Sequence, residues 1–220
     1  MSKSKGPQRV GIMRVVTSED HAFLKHHQRM IQAEHPALTF ETRCLPDQPN
    51  GIHDAATLSH AQSQIETLAS DWGHQLNGLI VSCAADPGLK KLKEILSVPV
   101  VGAGEACCEI ALTHGSRIGV IGIGADAPPV FHAWLDDRLI CYRQPNGVTC
   151  THDIHTEEGK IAIIAAIQEL KAENVDAVAL ACTGMATTDV AALVALYTNM
   201  PVINPVLATG EIMARCLAVH

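Results

Sequence analysis

Cys83 and Cys182 stand where a thiol can do chemistry. Each closes an apolar run, residues 78–82 for the first and 175–181 for the second, and each is followed by small or turn-forming residues and then a helical pattern. A continuous apolar run of this length, bounded by turn signals, reads as a strand buried on both faces. Each thiol is therefore expected at the carboxyl end of a strand, where doubly wound sheets bind their ligands. The N–H groups of Ala84 and Ala85, and of Thr183 and Gly184, follow the two sulfurs and are placed to donate to an anion. A helix N-terminus also lowers a thiol pKa from its ordinary value of about 8.5. Two thiols poised in this way can remove a proton from one face of a carbon and return one to the other. A single cysteine at a strand end is ordinarily a buried spacer, but two at equivalent places in a repeat favour a functional pair.

The elements that must carry the cysteines alternate. Strands are expected over 10–15, 38–44, 78–82 and 98–101, and again over 118–123, 139–142, 175–181 and 201–203. Ser18 is expected to cap one helix carrying Phe23, Leu24, Met30 and Ile31, and Leu58, Ala61, Ile65 and Leu68 mark the next. Residues 45–51, with two prolines and Asn50-Gly51, read as a loop. Asp86-Pro87 suits the start of a helix bearing Leu89, Leu92, Ile95 and Leu96, and 105–114 a further helix. In the second half helices are expected over 130–136, over 156–173 with Ile161, Ile164, Ile167 and Leu170 in register, around Val190, Leu193, Val194 and Tyr197, and over 207–217. Alternation of this kind means an α/β protein with parallel sheets.

The halves match at the residue level. Arg9-Val10-Gly11-Ile12 mirrors Arg117-Ile118-Gly119-Val120, residues 78–83 mirror 177–182, and Pro99-Val100-Val101 mirrors Pro201-Val202-Ile203. Three matched motifs in one order read as a duplication. Two similar lobes follow, each a four-stranded parallel sheet flanked by helices and related by pseudo-twofold symmetry. Residues 1–102 with 206–220 form the first and 103–205 the second.

Bulk composition narrows the function classes. Of 220 residues 47% are hydrophobic and 18% charged, enough for a sizeable core, and at 3% aromatic that core must be aliphatic. No apolar run reaches the roughly 18 to 20 residues of a membrane span, and residues 1–8 are polar and basic, unlike a secretory signal. A net charge of −7 argues against nucleic-acid or anionic-membrane partners. A cytoplasmic protein with a small-molecule substrate, acting as a homo-oligomer, is the expectation. The eight cysteines include no C-x-x-C pair and should remain thiols.

Residues 81–89, Val-Ser-Cys-Ala-Ala-Asp-Pro-Gly-Leu, then 99–106, Pro-Val-Val-Gly-Ala-Gly-Glu-Ala, then 181–185, Ala-Cys-Thr-Gly-Met, resemble the Asp/Glu/hydantoin racemase superfamily, most of all its hydantoin racemase-like branch. The resemblance covers nearly the whole chain. It implies two α/β lobes, no cofactor, and one cysteine from each lobe as acid and base, roles that fall on Cys83 and Cys182. It implies an isomerase acting on amino acids or their derivatives by 1,1-proton transfer α to a carbonyl, without pyridoxal phosphate. Glutamate racemases carry a histidine two residues after the second cysteine, where this chain has Gly184, which disfavours glutamate as substrate. Hydantoin racemases carry Asn-Pro-Asn after the first strand, where this chain has Arg14-Val15-Val16-Thr17-Ser18.

Candidates for holding the substrate are Arg14, Thr17, Ser82, Ala84, Thr183 and Gly184: N–H groups, hydroxyls, and the one cation assigned to the first crevice. Arg14 equally suits the outer face of its strand. His26 and His27 are adjacent, point apart and are expected to face solvent, while His152 and His155 lack a third ligand, so no metal is expected. Gly119, Gly122 and Gly124 do not spell a dinucleotide fingerprint. Cys107 and Cys108 suit core packing, and Asp86 and Glu105 suit capping. Two other functions fit the scaffold: a maleate isomerase-like cis–trans isomerase, and a binding protein that turns nothing over.

Overall fold

In the computed structural model, which describes residues 8–49, 51–52, 55–187, 190 and 199–218, the apolar runs become eight strands. They are β1 (Gln8–Arg14), β2 (Leu38–Cys44), β3 (Gly78–Ser82), β4 (Val100–Gly102), β5 (Ile118–Ile121), β6 (Leu139–Arg143), β7 (Ala177–Leu180) and β8 (Val202–Ile203). Every residue of β3, β5 and β7 is buried, the reason these strands read as unbroken apolar runs. Two all-parallel sheets result, ordered β2-β1-β3-β4 and β6-β5-β7-β8. Helices α1 (His21–Leu24), α2 (His26–Glu34), α3 (Ala55–Trp72) and α4 (Leu89–Ile95) alternate with the first set of strands. Then come α5 (Ala103–Leu112), α6 (Pro129–Leu135), α7 (Glu157–Ala172), α8 (Gly184–Thr187) and α9 (Pro205–Cys216). Of the helix expected near residue 190, Leu193, Val194 and Tyr197 lie outside the described residues. No helix among the described residues is long and apolar enough to cross a membrane.

The repeat extends to hydrogen bonds that a motif comparison does not show. The N–H of Arg9 donates to Asn77 Oδ1 at 2.8 Å, and the N–H of Asn77 returns a bond to the Arg9 carbonyl at 2.8 Å. One repeat later, Ser116 and Arg117 N–H groups donate to Asp176 Oδ2 at 2.9 Å, and the Asp176 N–H returns one to the Arg117 carbonyl at 2.7 Å. The carbonyls of Pro99 and Pro201 accept from Leu79 and Val178, each at 2.9 Å. Gly11 lies opposite Leu79, and Gly119 opposite Val178, so the registers coincide.

The chain forms two compact units: Met1–Ser82, Pro87–Gly102 and Thr209–His220 make one; Cys83–Asp86 and Ala103–Ala208 make the other. The second is built on an aliphatic cluster that includes Ile121, Ile154, Ile163, Ile167, Leu170, Val178, Leu180 and Met185. All eight cysteines are free thiols.

Several local expectations are corrected. The first helix is two helices, broken at Lys25. Asp20, not Ser18, caps α1, its Oδ1 accepting from Ala22 and Phe23 at 2.8 and 3.2 Å, while Ser18 Oγ accepts from the Asp20 N–H. The break persists because the Phe23 and Leu24 carbonyls, which a continuous helix would spend on the next turn, accept from Arg14 Nη1 at 3.0 and 3.1 Å. Asp86 does not cap α4; that position is Gly88, in the left-handed region at φ 69°. In α7 the buried stripe is Ile163, Ala166, Ile167 and Leu170, and Ile161 is 67% exposed.

Candidate active site

Cys182 is set by the end of β7. The Ala181 N–H donates to the Ile121 carbonyl at 2.7 Å and closes the ladder; the chain then turns, and the Met185 N–H donates to the Cys182 carbonyl at 3.1 Å as α8 begins. The sulfur is thereby buried at the start of a helical turn, and the residue is 9% exposed. Burial pushes the Cys182 thiol above its ordinary range; the nearby Gly184 and Met185 N–H groups and the Thr151 hydroxyl oppose this and do not outweigh it. At neutral pH the group therefore rests as a thiol, a proton donor. Gly184 is confined: a Cβ there would lie 2.6 Å from Thr151 Cγ2, 3.1 Å from Ile154 Cδ1 and 3.4 Å from Cys182 Sγ. A larger residue would have to displace Thr151 or Ile154.

Cys83 follows β3 and is half-buried. Its segment is a turn in which the Asp86 N–H donates to the Cys83 carbonyl at 3.0 Å. The Asp86 carboxylate reaches α5, accepting from the N–H groups of Gly104 and Glu105 at 2.8 and 2.7 Å. Gly104 is as crowded as Gly184, since a Cβ there would run into the Ala84 carbonyl oxygen and stand 2.7 Å from Val130 Cγ1. Residues 83–86 are thus fastened to the first turn of α5, and both cysteines belong to the second compact unit.

The remaining nominated residues divide by unit. Ala84, buried at 3%, and Thr183 and Gly184, both half-buried, are the immediate chain neighbours of the two cysteines in the second unit. Arg14, Thr17 and Ser82 lie in the first, with their polar atoms in internal bonds. Arg14 is 5% exposed, holds the end of α1 as described, and stacks over Phe23 with 4.8 Å to the ring centre. Thr17 Oγ1 donates to the Leu45 carbonyl at 2.7 Å and accepts from the Gln48 N–H at 2.6 Å, closing a loop. Ser82 Oγ lies 2.8 Å from His27 Nδ1. His27 is fully buried, against the expectation that it faces solvent; helical rotation turns it inward while His26 stays half-exposed.

Thr151 and Tyr142 escaped sequence reasoning. Thr151 lies in a loop with no motif. Tyr142, one of only two tyrosines in the chain, donates its hydroxyl to the Gly124 carbonyl at 2.6 Å. Burial first, then Asp126 and Cys182, raise its phenol, which places it within electrostatic reach of Cys182. The scarcity of aromatics was the available signal. Among the described residues no group of His, Cys, Asp or Glu is arranged to hold a metal ion.

A family model described as Asp/Glu/Hydantoin racemase matches residues 10–212. Glutamate racemase from Levilactobacillus brevis is 23% identical over 209 residues, covering 90% of this chain and 74% of that protein. Hydantoin racemase from Paenarthrobacter aurescens is 30% identical over 148 residues, 63% of this chain and 61% of that one. Allantoin racemase from Klebsiella pneumoniae has the same fold, with a TM-score of 0.82 at 19% identity over 96% of this chain and 88% of that chain.

Proposed function

The chain belongs to the Asp/Glu/hydantoin racemase family, and from that premise we propose that it is a cofactor-independent racemase in which Cys83 and Cys182 move a proton between the two faces of a carbon α to a carbonyl. In one direction the Cys83 thiolate takes the α-proton, becoming a thiol and leaving an enolate. The Cys182 thiol then gives its proton to the opposite face and becomes a thiolate. The opposite enantiomer runs the same steps with the roles exchanged, and solvent protons reset the pair between turnovers. Acid–base terms of this kind supply about 10² to 10⁴-fold. The N–H groups of Ala84 and Thr183 are proposed as donors to the enolate oxygen.

The observation that carries this reading is the setting of Cys182: a thiol buried just past the end of β7, where the chain turns into α8 and Gly184 lies against the sulfur. The proposed substrate class is a neutral ring of the hydantoin type. Gly184 leaves no side chain there to meet a second carboxylate, Arg14 is engaged at α1, and two of the similar proteins are a hydantoin and an allantoin racemase.

The test is proton NMR in D₂O with single enantiomers of substituted hydantoins, allantoin, aspartate and glutamate, and with maleate, alongside optical rotation. Wild type should erase the α-proton signal of a hydantoin-type ring and its rotation together, and Cys83→Ala and Cys182→Ala should each lose at least about 10³-fold. A Cys182→Ala enzyme that racemises normally overturns the mechanism. Turnover of maleate alone assigns the isomerase reaction instead.

A further inference from the structure

We infer that Tyr142 is a positioning residue for the racemase reaction: its hydroxyl, bonded to the Gly124 carbonyl, fixes the course of residues 122–130, which run from beside Cys182 to the turn that carries Cys83. This deepens the proposed function and rests on it for the roles of the two cysteines.

Each end of that segment is located by packing within the second compact unit. Gly122 is the first residue past β5. Its N–H donates to the Arg143 carbonyl at 3.2 Å, and the Ala181 N–H donates to the Ile121 carbonyl at 2.7 Å. A Cβ on Gly122 would stand 2.8 Å from Tyr142 Oη and 3.3 Å from both Tyr142 Cε2 and Ala181 Cβ. The phenol from edge strand β6 therefore reaches over the end of β5 toward Ala181, the residue before Cys182. At the far end, Val130 Cγ1 stands 2.7 Å from where a Cβ of Gly104 would be, a spot that the Ala84 carbonyl and Asp86 Oδ2 also border. Ala84 and Asp86 belong to the turn that begins at Cys83.

The two halves of the segment are held differently. In the second half, Asp126 Oδ1 accepts from the Ala127 N–H at 2.7 Å, Oδ2 pairs with His132 Nε2 of α6 at 3.1 Å, and Pro128 and Pro129 stiffen the approach to the helix. In the first half, Gly122 and Gly124 flank Ile123, which packs on the aliphatic cluster. The two glycines have no side chain to pack and give the backbone its greatest freedom. Two side chains from the end of β6 restrain them: Tyr142 Oη donates to the Gly124 carbonyl at 2.6 Å, and Gln144 Nε2 to the Ile123 carbonyl at 2.8 Å. Gln144 is exposed and Tyr142 half-buried, so the phenol's bond is the better shielded from water. With its proton committed there, the phenol acts through the backbone rather than on substrate. Two thiols that must meet opposite faces of one carbon depend on the chain between them, since displacing a catalytic group by about 1 Å costs up to about 10²-fold.

The first part of the experiment needs no substrate. Amide hydrogen exchange is followed by mass spectrometry in wild type, in Tyr142→Phe, which keeps the ring and loses the donor, and in a variant with p-aminophenylalanine at position 142, which restores a donor. Exchange over 122–127 should be about fivefold faster in Tyr142→Phe, as expected for one neutral hydrogen bond, with the α7 peptides unchanged. It should return toward wild type with the amine. In the second part, racemisation of the substrate found by the D₂O assay should lose between about threefold and 10²-fold in kcat in Tyr142→Phe, while KM moves less than about twofold. The amine variant should recover kcat. Unchanged exchange over 122–127, or exchange raised equally throughout the chain, overturns the inference. So does a kcat within about threefold of wild type, even with a lowered Tm, or an amine variant as slow as the phenylalanine one. Should wild type racemise nothing while exchange responds as stated, the proposed function falls, the positioning role falls with it, and Tyr142 is a structural tether alone.

Discussion

The carboxylate of Asp86 and the backbone N–H of Gly104 are joined at 2.8 Å across a gap of eighteen residues, so that α5 is capped from the turn that carries Cys83. The second oxygen accepts from Glu105 at 2.7 Å, and both N–H groups are among those a helix start leaves unsatisfied. One residue thereby stabilises a helix and fixes a catalytic candidate. Asp86→Ala should lower stability by about 1 kcal/mol and, by freeing residues 83–86, lower racemisation more than it lowers Tm. Asn tolerates the φ of 49° found here but offers one acceptor oxygen to two N–H groups, so Asp86→Asn should fall between wild type and alanine in both. Thermal melts beside the D₂O exchange assay check this; an alanine variant with full activity would separate the cap from the chemistry.

Most of the fold was legible because burial on both faces leaves a plain signature. Residues 78–81 and 177–180 have no polar side chain to place, and the repeat of Gly11 and Gly119 in matching registers follows from the same constraint. The two cysteines were legible because they close those runs. What escaped depends on contacts distant in sequence. Asp86-Pro87 looks like a local cap, yet its carboxylate serves a helix one strand further on. One unbroken amphipathic pattern covers α1 and α2, and only Arg14 arriving from β1 explains the break.

Alkaline pH should weaken the fold through its buried acids. Burial, above all else, raises Cys107, Cys108, Cys182 and Tyr142 above their ordinary values. The folded chain therefore holds protons that the unfolded chain gives up first, and unfolding becomes easier as pH rises through that interval. For the thiols the contribution is complete below their ordinary pKa and is lost above it. Tm under reducing conditions should be flat in this respect up to about pH 8.5 and fall beyond pH 9. A Cys107→Ala/Cys108→Ala variant should fall less steeply. An unchanged slope would assign the alkaline limb to other groups.

The two halves should respond differently to the same substitution in equivalent strands. A Cβ on Gly11 would overlap Leu76 Cδ1 and approach Trp72 Cη2 and Cζ2 to 2.7 and 2.9 Å, whereas on Gly119 it would meet Leu170 and Val175 at 3.3 to 3.4 Å. Trp72 is fully buried and has nowhere to retreat. Gly11→Ala should cost about 1–3 kcal/mol by overpacking. Gly119→Ala, which needs a shift of only a few tenths of an ångström, should fall within about 1 kcal/mol of neutral, because a less flexible unfolded chain offsets the crowding. Urea unfolding of both variants checks the asymmetry; equal losses would mean that the Leu76 and Trp72 side chains yield as readily as Leu170.

Arg14 separates a binding role from a structural one. Its position at the end of β1, next to Cys44 and Ser82 in the flanking strands, would suit a substrate carboxylate. Its guanidinium instead donates to the Phe23 and Leu24 carbonyls from a site 5% exposed to solvent. Those carbonyls stay half-buried when the cation is removed, and stranding such acceptors costs about 1–3 kcal/mol. Arg14→Met, similar in length and apolar, should therefore lower Tm by several degrees while KM for a neutral substrate moves less than about twofold, as expected of a residue that makes no contact with it. Arg14→Lys should fare little better in stability, since an ammonium cannot reproduce the planar fork that spans two carbonyls. A KM raised about tenfold or more with Tm intact would return Arg14 to the substrate and favour an anionic ligand over a neutral ring.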